Sequence, residues 1–366
     1  MQIQSVQLVN FRNHARTSIE LDPGINVLVG ENAQGKTNLL EAIYITCVGR
    51  GFRSPRDKEV IRFGQDFAKV GTTAIKKFGK LDVEITISTK SEKLPPDKAG
   101  LAGPTLKQIK VNQIPIAKMG ELMGNVTCVF FNPDELRLIK DAPADRRRFM
   151  DIDISQMNKI YFYNLLRYNK ILKQRNALLK NMNARPTADE LSSLDIWDEQ
   201  LEKYAEQIIA ARVDFCEKLK ATVPAVHAAL APSETLTVDY ECSTWNKKLS
   251  DVREKDLRLR TTTVGPHRDD ILLRLNGKDV RAFASQGQQR TVALSLKIAE
   301  LKIFEAVTGE KPILLLDDVL SELDETRQAK LLELIKGWQS VITTTEFDLP
   351  IKTAKFFVQA GKCIRQ

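Results

Sequence analysis

The segment from Gly30 to Thr37 has the residue types and spacing of a phosphate-binding loop. It reads G-x-x-x-x-G-K-T, follows an apolar run that predicts a strand and precedes a pattern that predicts a helix. Its glycines allow successive backbone N–H groups to point at phosphate oxygens, and the following helix adds the positive potential of its N-terminus. The predicted nucleotide-binding residues of the loop are Gly30, Glu31, Asn32, Ala33, Gln34, Gly35, Lys36 and Thr37.

Two consecutive carboxylates near the other end of the chain complete the chemistry that this loop needs. The apolar run 313–316 predicts a buried strand, and it ends in Asp317 and Asp318. We predict that Thr37 and Asp317 hold Mg²⁺, while Asp318 orients water against the γ-phosphate that Lys36 contacts. The sequence therefore predicts ATP and Mg²⁺ as ligands and ATP hydrolysis as the reaction, with Lys36 and Asp318 as the catalytic residues.

Length and composition limit the classes of protein that fit. A chain of 366 residues is long enough for two or three lobes, and its formal charge of +8 favours a polyanionic partner. The five cysteines are scattered, with no C-x-x-C pair, so we expect a reduced, cytoplasmic protein without a zinc site. No apolar run reaches about 18 residues and no signal-peptide layout is present, so we expect no membrane association.

The N-terminal part is expected to be an α+β lobe that supports the phosphate-binding loop. Alternating residues predict a first strand at 3–10 and a hairpin made of 67–74 and 81–88, with a surface loop at 95–104. Arg12 and Asn13 follow the first strand, close in sequence to the loop. We predict that they reach the nucleotide phosphates; the alternative is a solvated turn.

Basic residues past the first helix and at the hairpin tip are candidates for contacts with double-stranded DNA. Such a run is usually only a solvated loop, but the first group lies past the helix that follows the phosphate-binding loop, and this position makes it a candidate for DNA contact. Three consecutive arginines, 146–148, cannot share one helix face, which leaves both phosphate contact and internal ion pairing open. The DNA-contact candidates are Arg50, Arg53, Arg56, Lys76 and Lys77.

The middle of the chain carries two helix-length segments with apolar residues at alternating gaps of four and three. They cover 160–182 and 194–219 and are joined by a turn at 183–186. This spacing predicts an antiparallel helical hairpin, a short arm whose helices are each about 25 residues and about 37 Å long.

The C-terminal part returns to sheet patterning. Strands are predicted at 236–240 and 257–264, then as a hairpin of 271–275 and 279–283 around Asn276 and Gly277. Ser285 is a natural N-cap for a helix over 286–301. Further strands are predicted at 340–345 and 356–358.

This order of motifs resembles the ATP-binding-cassette (ABC) ATPase heads of the SMC class, and more narrowly the RecF family of bacterial DNA replication and repair proteins. In such heads the phosphate-binding loop (Walker A) comes first, a helical insertion follows, and the signature motif, Walker B and D-loop come last. The residues that carry the resemblance are Asn10 to Asn13, Gly30 to Thr37, Phe131 to Pro133, Arg146 to Phe149, Gly265 to Asp270, Ser285 to Arg290 and Leu316 to Asp318.

The resemblance implies an α/β fold: an ABC-type P-loop ATPase head, built from an α+β lobe and a P-loop sheet, with an inserted antiparallel helical-hairpin lobe. The expected parts are 1–145 and 231–366 for the two halves of the head and 146–230 for the arm. By this resemblance Asp324 belongs to the D-loop, and the signature residues are Ser285, Gln286, Gly287 and Gln288.

The family resemblance also implies a function. Two subunits face head to tail, and each lends Ser285 to the γ-phosphate on the other, so that ATP drives homodimerisation and slow hydrolysis releases it. The implied protein binds double-stranded DNA, is a weak DNA-dependent ATPase, and acts with RecR and RecO in recombinase loading at gaps and in SOS induction.

Some positions depart from the family pattern. Asp318 stands where SMC heads usually have Glu, residues 343–345 are threonines where many cassette ATPases have a His, and Asn132 replaces the Gln of the Q-loop. His267 is either near the nucleotide or a structural loop residue. Two other functions are alternatives. One is a P-loop kinase or small-molecule ATPase, against which the signature segment argues because a kinase needs none. The other is an ATP-gated scaffold with little turnover.

Overall fold

The computed structural model describes residues 1–53, 56–89, 106–183, 186–244, 247–345 and 353–366. The chain forms two compact units, unit 1 (1–135 with 297–366) and unit 2 (136–296). The division falls within helix α9 (Gln286–Thr308). The expected three-part division, with boundaries at 145/146 and 230/231, stays a prediction. The compact unit that contains the arm has other boundaries, at 135/136 and 296/297.

Unit 1 contains two six-stranded sheets. The antiparallel sheet has the order β2-β1-β4-β5-β6-β7, and the second sheet, mostly parallel, has the order β15-β14-β3-β13-β12-β8. Their strands are β1 (Gln2–Phe11), β2 (His14–Glu20), β3 (Ile25–Val29), β4 (Phe67–Lys76), β5 (Gly79–Ser88), β6 (Leu106–Val111), β7 (Ile114–Ile116), β8 (Cys128–Phe131), β12 (Ile313–Asp317), β13 (Ser340–Thr344), β14 (Ala354–Gln359) and β15 (Lys362–Arg365). The helices that lie wholly in this unit are α1 (Lys36–Val48), α2 (Met119–Leu122) and α10 (Glu325–Leu334).

The parallel strands at the centre of the second sheet position the predicted chemistry. All five residues of β12 and all five of β13 are buried, as expected for strands covered on both faces. Strand β13 pairs in parallel with β3 on one side and with β12 on the other. The carboxyl ends of these strands therefore meet at one edge, where the phosphate-binding loop follows β3 and the two carboxylates follow the apolar residues of β12.

Unit 2 contains the helical arm and a small sheet of order β11-β10-β9. Its helices are α3 (Arg137–Lys140), α4 (Pro143–Met157), α5 (Lys159–Asn181), α6 (Ala188–Leu230), α7 (Arg253–Leu259) and α8 (Val280–Phe283). Its strands are β9 (Leu236–Glu241), β10 (Asp270–Leu275) and β11 (Lys278–Asp279).

The antiparallel helical hairpin predicted from sequence is present in α5 and α6. Asn164 bonds to Gln207, and Arg175 bonds to Asp198 farther along α5 but earlier in α6, so the two helices are antiparallel. Helix α6 has 43 residues rather than about 25, hence about 65 Å at 1.5 Å per residue. The extra turns include Pro224.

Two predicted strands are wrong. The alternation over 257–264 belongs partly to helix α7, where Leu257 packs against the tip of the arm, next to the buried Leu179, Met182 and Leu194. After the predicted Asn276-Gly277 turn, β11 has only two residues, because the Asp279 side chain accepts hydrogen bonds from the N–H groups of Arg281 and Ala282 and starts a helix.

The predicted hairpin of 67–74 and 81–88 is confirmed by β4 and β5. The loop predicted at 95–104 lies outside the described residues. Within the described part of the chain, no helix combines the length and apolar composition needed to span a membrane.

A buried ion cluster ties the arm to the segment that follows β9. The Arg175 side chain is fully buried, and its guanidinium donates to Asp198 at 2.6 Å and to Asp256 at 2.7 Å. Asp256 also accepts from both the N–H and the hydroxyl of Thr263. Such a cluster is sensitive to the loss of one partner, because a buried charge is then left without compensation.

We predict that Asp256→Ala lowers the unfolding free energy of the chain by about 3 kcal/mol, since it strips one carboxylate from buried Arg175. Urea denaturation followed by circular dichroism measures this loss. Asp214→Ala is the matched control, because Asp214 pairs with Lys218 on an exposed helix surface and its loss costs at most about 0.5 kcal/mol. Equal midpoints for the two variants would contradict a stabilising role for the cluster.

Candidate nucleotide-binding site

The phosphate-binding loop and the carboxylates of β12 meet through one hydrogen bond. The Thr37 hydroxyl donates to Asp317 Oδ1 at 2.7 Å, across 280 residues of sequence. The Thr343 hydroxyl donates to the same oxygen at 2.8 Å. Burial raises the pKa of Asp317, and the two hydroxyl donors partly offset that effect. Thr343 thus lies near the end of β13, where it bonds both the carboxylate of Asp317 and the backbone N–H of Asp318.

Asp318 has a strained backbone, with φ of 54°. Its N–H donates to Thr343 Oγ1 at 2.9 Å, and the Ser321 hydroxyl donates to its carbonyl at 2.8 Å and its carboxylate at 3.0 Å. A non-glycine residue in the left-handed region costs on the order of 1 kcal/mol, and such outliers cluster at functional sites. These contacts fix the carboxylate of Asp318 at the cavity of the phosphate-binding loop, which it lines.

Lys36 is buried against its own loop. Its ammonium donates to the carbonyl oxygens of Gly30 and Glu31, the latter at 2.8 Å. Burial lowers the pKa of Lys36, while the nearby carboxylates of Asp318 and Asp317 act in the opposite direction. The ammonium is therefore already at the loop, held by carbonyls that a phosphate oxygen can replace.

The loop is braced from outside by two turns of unit 1. The Asn13 side chain donates to the carbonyl of Gln34 at 2.9 Å, and the N–H of Gly361 donates to the same carbonyl at 3.0 Å. The N–H of Ala360 donates to the Gln34 side chain at 2.7 Å. Buried His14 contacts the next carbonyl of the loop at 3.1 Å, and burial lowers its pKa. The turn between β14 and β15 had no sequence signal that linked it to the loop.

Arg12 and Arg53, the two arginines near the loop, both have side-chain partners, and their predicted contacts with nucleotide and DNA stay predictions. Arg12, predicted to bind nucleotide, forms a two-pronged ion pair with buried Glu41, at 2.8 and 3.0 Å, and donates to the carbonyl of Glu59. Arg53, predicted to contact DNA, donates to the Asn38 side chain at 3.1 Å and lines the cavity of the phosphate-binding loop. Of these two, Arg53 is therefore the one placed to contact a nucleotide.

The remaining DNA-contact candidates fall into two groups at opposite ends of β1. Arg50 and Arg56 are exposed, and Lys107 contacts a neighbour of each, Gly49 and Asp57. Five residues after Arg56, Ile61 bridges Phe11 at the end of β1. Lys76 and Lys77 instead follow Ile75, which pairs with the first residue of that strand. A ten-residue strand separates the groups by about 30 Å. Lys76 donates to two backbone carbonyls, at 3.1 and 3.3 Å, so it is engaged in the fold.

The cavity beside the loop has a volume of about 90 Å³. Thr37 and Asp317, whose side chains touch, are the predicted ligands of Mg²⁺. No group of three or more His, Cys, Asp or Glu side chains that fits a metal ion occurs among the described residues. The pair nevertheless fits Mg²⁺, because this ion takes one or two protein ligands and completes its octahedron with water and phosphate oxygens. The cavity lining consists of residues 31–37 with Asn38, Arg53, Asp318 and Thr343.

The residues that match the signature motif begin helix α9. Ser285 Oγ accepts from the N–H of Gln288 at 3.3 Å, and Gln288 Oε1 accepts from the N–H of Ser285 at 2.9 Å. This reciprocal pair is a capping box, which confirms the predicted N-cap. In the D-loop match, Asp324 caps helix α10 by accepting from the N–H of Arg327 at 2.9 Å.

The three consecutive arginines and His267 all lie in unit 2. Arg146 pairs with Asp270 at 2.6 and 2.9 Å, and Arg147 donates to the carbonyl of Asp269, so these two arginines pair internally. Arg148 is exposed, and its contact with a phosphate stays a prediction. His267 bonds to the Tyr168 hydroxyl at 2.6 Å and has a pKa lowered by burial to about 4. It is a structural loop histidine.

Sequence comparison assigns the chain to a family. Residues 2–349 match the sequence model described as the RecF/RecN/SMC N terminal domain. The chain is 41% identical over 357 residues to the DNA replication and repair protein RecF of Agathobacter rectalis, covering 96% of this chain and 94% of the relative. The chain belongs to the RecF family. The relative from Bacillus velezensis is 38% identical, with 95% of this chain and 94% of the relative covered.

Solved structures confirm the fold class predicted for this RecF-family chain. A structure described as the recombination mediator protein RecF-ATPrS in the RecFOR pathway has a TM-score of 0.88 and 35% identity, with 99% and 97% of the two chains covered. An SMC head bound to the C-winged helix domain of ScpA is 15% identical and has a TM-score of 0.59, with 100% of this chain and 98% of the SMC head covered. The fold is thus the predicted ABC-type ATPase head.

We predict that Gly361→Ala weakens ATP binding at least tenfold, because a Cβ there would lie 2.4 Å from the carbonyl oxygen of Asn13 and displace the brace. Gly64→Ala is the matched control. Its φ of 77° resembles the 73° of Gly361, but a Cβ at Gly64 meets nothing within 4 Å. Both variants carry the same left-handed strain, so the difference in ATP affinity by calorimetry isolates the clash. Equal affinities would show that the brace does not shape the loop.

Proposed function

We propose that this chain is an ATP-dependent double-stranded DNA-binding protein of replication and recombinational repair. ATP binding drives two copies together head to tail on DNA, and slow hydrolysis releases them. The observation that carries the proposal is the contact between Thr37 and Asp317, which joins the Walker A and Walker B residues into one site. Membership of the RecF family, together with relatives named as DNA replication and repair proteins, supports the same function.

In the proposed reaction each residue of the site has a separate task. Lys36 leaves the carbonyls of Gly30 and Glu31 and contacts the β and γ phosphates, while the loop N–H groups bind the phosphate oxygens. Mg²⁺, when bound by Thr37 and Asp317, neutralises charge that develops on the phosphates. Arg53 lies on the cavity wall and adds a second positive charge toward the nucleotide.

Asp318 is the proposed general base that orients the attacking water. Its carboxylate is fixed by Ser321, and its backbone N–H by Thr343. An Asp reaches less far than a Glu, which agrees with slow turnover. The shorter reach of Asp318 also fits a second candidate function, that of an ATP-gated scaffold with little hydrolysis.

The proposed dimer completes each site from the second copy. The N-terminus of α9 presents Ser285 and the first N–H groups of a 23-residue helix, which favour an anionic phosphate. Ser285, Gln286 and Asp324 are exposed in a single copy, so they are accessible to a second copy. Two nucleotides at the interface then favour dimerisation, and loss of the γ-phosphate contacts favours release.

By family resemblance, RecR and RecO are the proposed protein partners, in recombinase loading at gaps and in SOS induction. A solved relative, 35% identical to this chain, is described as a recombination mediator in the RecFOR pathway, which supports this choice of partners.

For DNA we propose contact through the exposed arginines near the end of β1. Arg50 and Arg56 are exposed, and the formal charge of the chain is +8. Both groups have a carboxylate nearby, since Glu59 lies 3.9 Å from Arg56 and Glu310 lies 4.0 Å from Lys76. The opposite group is in addition tied into the fold, because Lys76 donates to two backbone carbonyls.

We predict that Lys36→Ala abolishes ATP-induced dimers, because the γ-phosphate loses its cis contact, and that Asp318→Asn traps them, because hydrolysis is blocked. Analytical ultracentrifugation with and without ATP measures both effects. Lys170→Ala, at an exposed position of α5, is the control and dimerises normally. Monomers for both site variants under all conditions would refute the proposed dimer. Hydrolysis by the unmodified chain that duplex DNA does not stimulate would favour the scaffold.

We predict that Arg50→Ala and Arg56→Ala each lower the slope of log affinity against log salt by roughly one for duplex DNA. Each variant removes one phosphate contact, and the effect is the same for different sequences. Lys77→Ala, at the far end of the sheet, is the comparison and leaves the slope unchanged. Fluorescence anisotropy on duplex, gapped and single-stranded DNA, with and without ATP, gives these slopes. A loss of slope in Lys77→Ala alone would move the DNA surface to the hairpin tip.

A further inference from the structure

A continuous path of hydrogen bonds runs from the signature serine to the last turns of the arm helix. It starts at the capping box, in which Ser285 and Gln288 bond reciprocally. Gln288 Nε2 donates to Glu234 Oε1 at 2.9 Å, and Glu234 Oε2 lies 3.3 Å from His227 Nε2. His227 Nδ1 lies 2.9 Å from the hydroxyl of Ser295, two turns farther along α9. All five residues belong to unit 2.

Glu234 fixes which way the Gln288 amide points. A carboxylate only accepts hydrogen bonds, so the NH₂ end of the amide must face Glu234. The oxygen end must then face the N–H of Ser285, where it accepts a hydrogen bond at 2.9 Å. If Glu234 were absent, the amide would be free to turn and the capping box would lose half of its bonds.

Glu234 itself is held in place. It lies in the short connection between α6 and β9, its N–H donates to the carbonyl of Ala231 at 3.1 Å, and its side chain is 18% exposed. The neighbouring N–H of Thr235 donates to the Asn276 side chain at 2.8 Å. His227 is fully buried; in the tautomer that carries its proton on Nε2, it donates to Glu234, and the Ser295 hydroxyl then donates to Nδ1. The carboxylate is therefore anchored on one side by the arm and faces the signature helix on the other.

We infer that Glu234 is a positioning residue for the signature motif: through Gln288 it sets the orientation in which Ser285 meets the nucleotide of a second copy. This inference rests on the proposed head-to-tail dimer. Glu234 does not touch the nucleotide, and it belongs to none of the motifs found in the sequence. Its effect therefore falls on the site of the other subunit and leaves ATP binding by its own phosphate-binding loop unchanged.

The first test separates a positioning role from ATP binding. Glu234→Ala is expected to lower kcat for ATP hydrolysis about tenfold, the effect of losing one hydrogen bond to a charged group. The affinity of the monomer for ATP stays unchanged. Glu234→Gln keeps the size but can donate as well as accept, so an intermediate loss is expected. Exposed Glu241 on β9 provides the control variant Glu241→Ala, with normal hydrolysis.

The second test uses mixed dimers. Lys36→Ala forms no dimer with itself, but in a mixed dimer with Glu234→Ala one site combines an intact phosphate-binding loop with an intact signature motif. The ATP bound at that site holds the two chains together. Hydrolysis above the sum of the two separate activities is expected. A mixture of Ser285→Ala with Lys36→Ala is the reference and recovers in the same way.

The outcomes distinguish a failure of the role inferred for Glu234 from a failure of the proposed head-to-tail dimer. Recovery in the reference mixture without recovery in the Glu234 mixture would show that Glu234 supports only its own chain, and the inference would be wrong while the dimer stands. Failure of the reference mixture would refute the head-to-tail site, and the inference with it. Normal hydrolysis by Glu234→Ala alone would also overturn the inference. Glu234→Gln repeats both tests if the alanine variant does not fold.

Discussion

The nucleotide-binding site depends on a short hydrogen bond between two residues that the sequence keeps far apart. Thr37 and Asp317 touch because β3 and β12 are parallel neighbours of the same strand, β13, so that their carboxyl ends reach the same edge. Only a sheet that draws strands from both ends of the chain can do this. The arm and the small sheet of unit 2 are therefore accommodated as an insertion between the halves of unit 1.

The features that could be predicted from sequence are those whose chemistry lies in a short segment. The phosphate-binding loop carries its glycines, Lys36 and Thr37 within eight positions, and the carboxylates directly follow an apolar strand. The S-x-x-Q spacing of the capping box is equally local. Helical periodicity predicted the arm, because a stripe of apolar residues persists over several turns of both helices.

Two kinds of feature could not be predicted. One is a contact between distant segments, and the other is a residue pattern that fits both a strand and a short helix. Nothing near Glu234 indicates that it bonds to Gln288, which lies 54 residues later. Arg53 is one of the predicted DNA contacts because the sequence of a basic loop does not show which way each side chain points. Only the fold shows that Arg53 donates to the Asn38 side chain. The alternation that includes Leu257 was misread because a short helix on the arm tip buries the same residue types as a strand.

The turn after β14 has a consequence for how the protein is made. Gln34 is translated early, yet the backbone that holds it belongs to Ala360 and Gly361, more than three hundred residues later in the chain; the pair Ala360 and Gln34 is separated by 326 positions. Contacts of such long range form slowly, because a large loop must close before they contribute. On the ribosome, the lysine-bearing loop therefore has only the contacts of Asn13 and His14 until the last residues of the chain are made. The second half of its support is completed when the last two strands join the sheet.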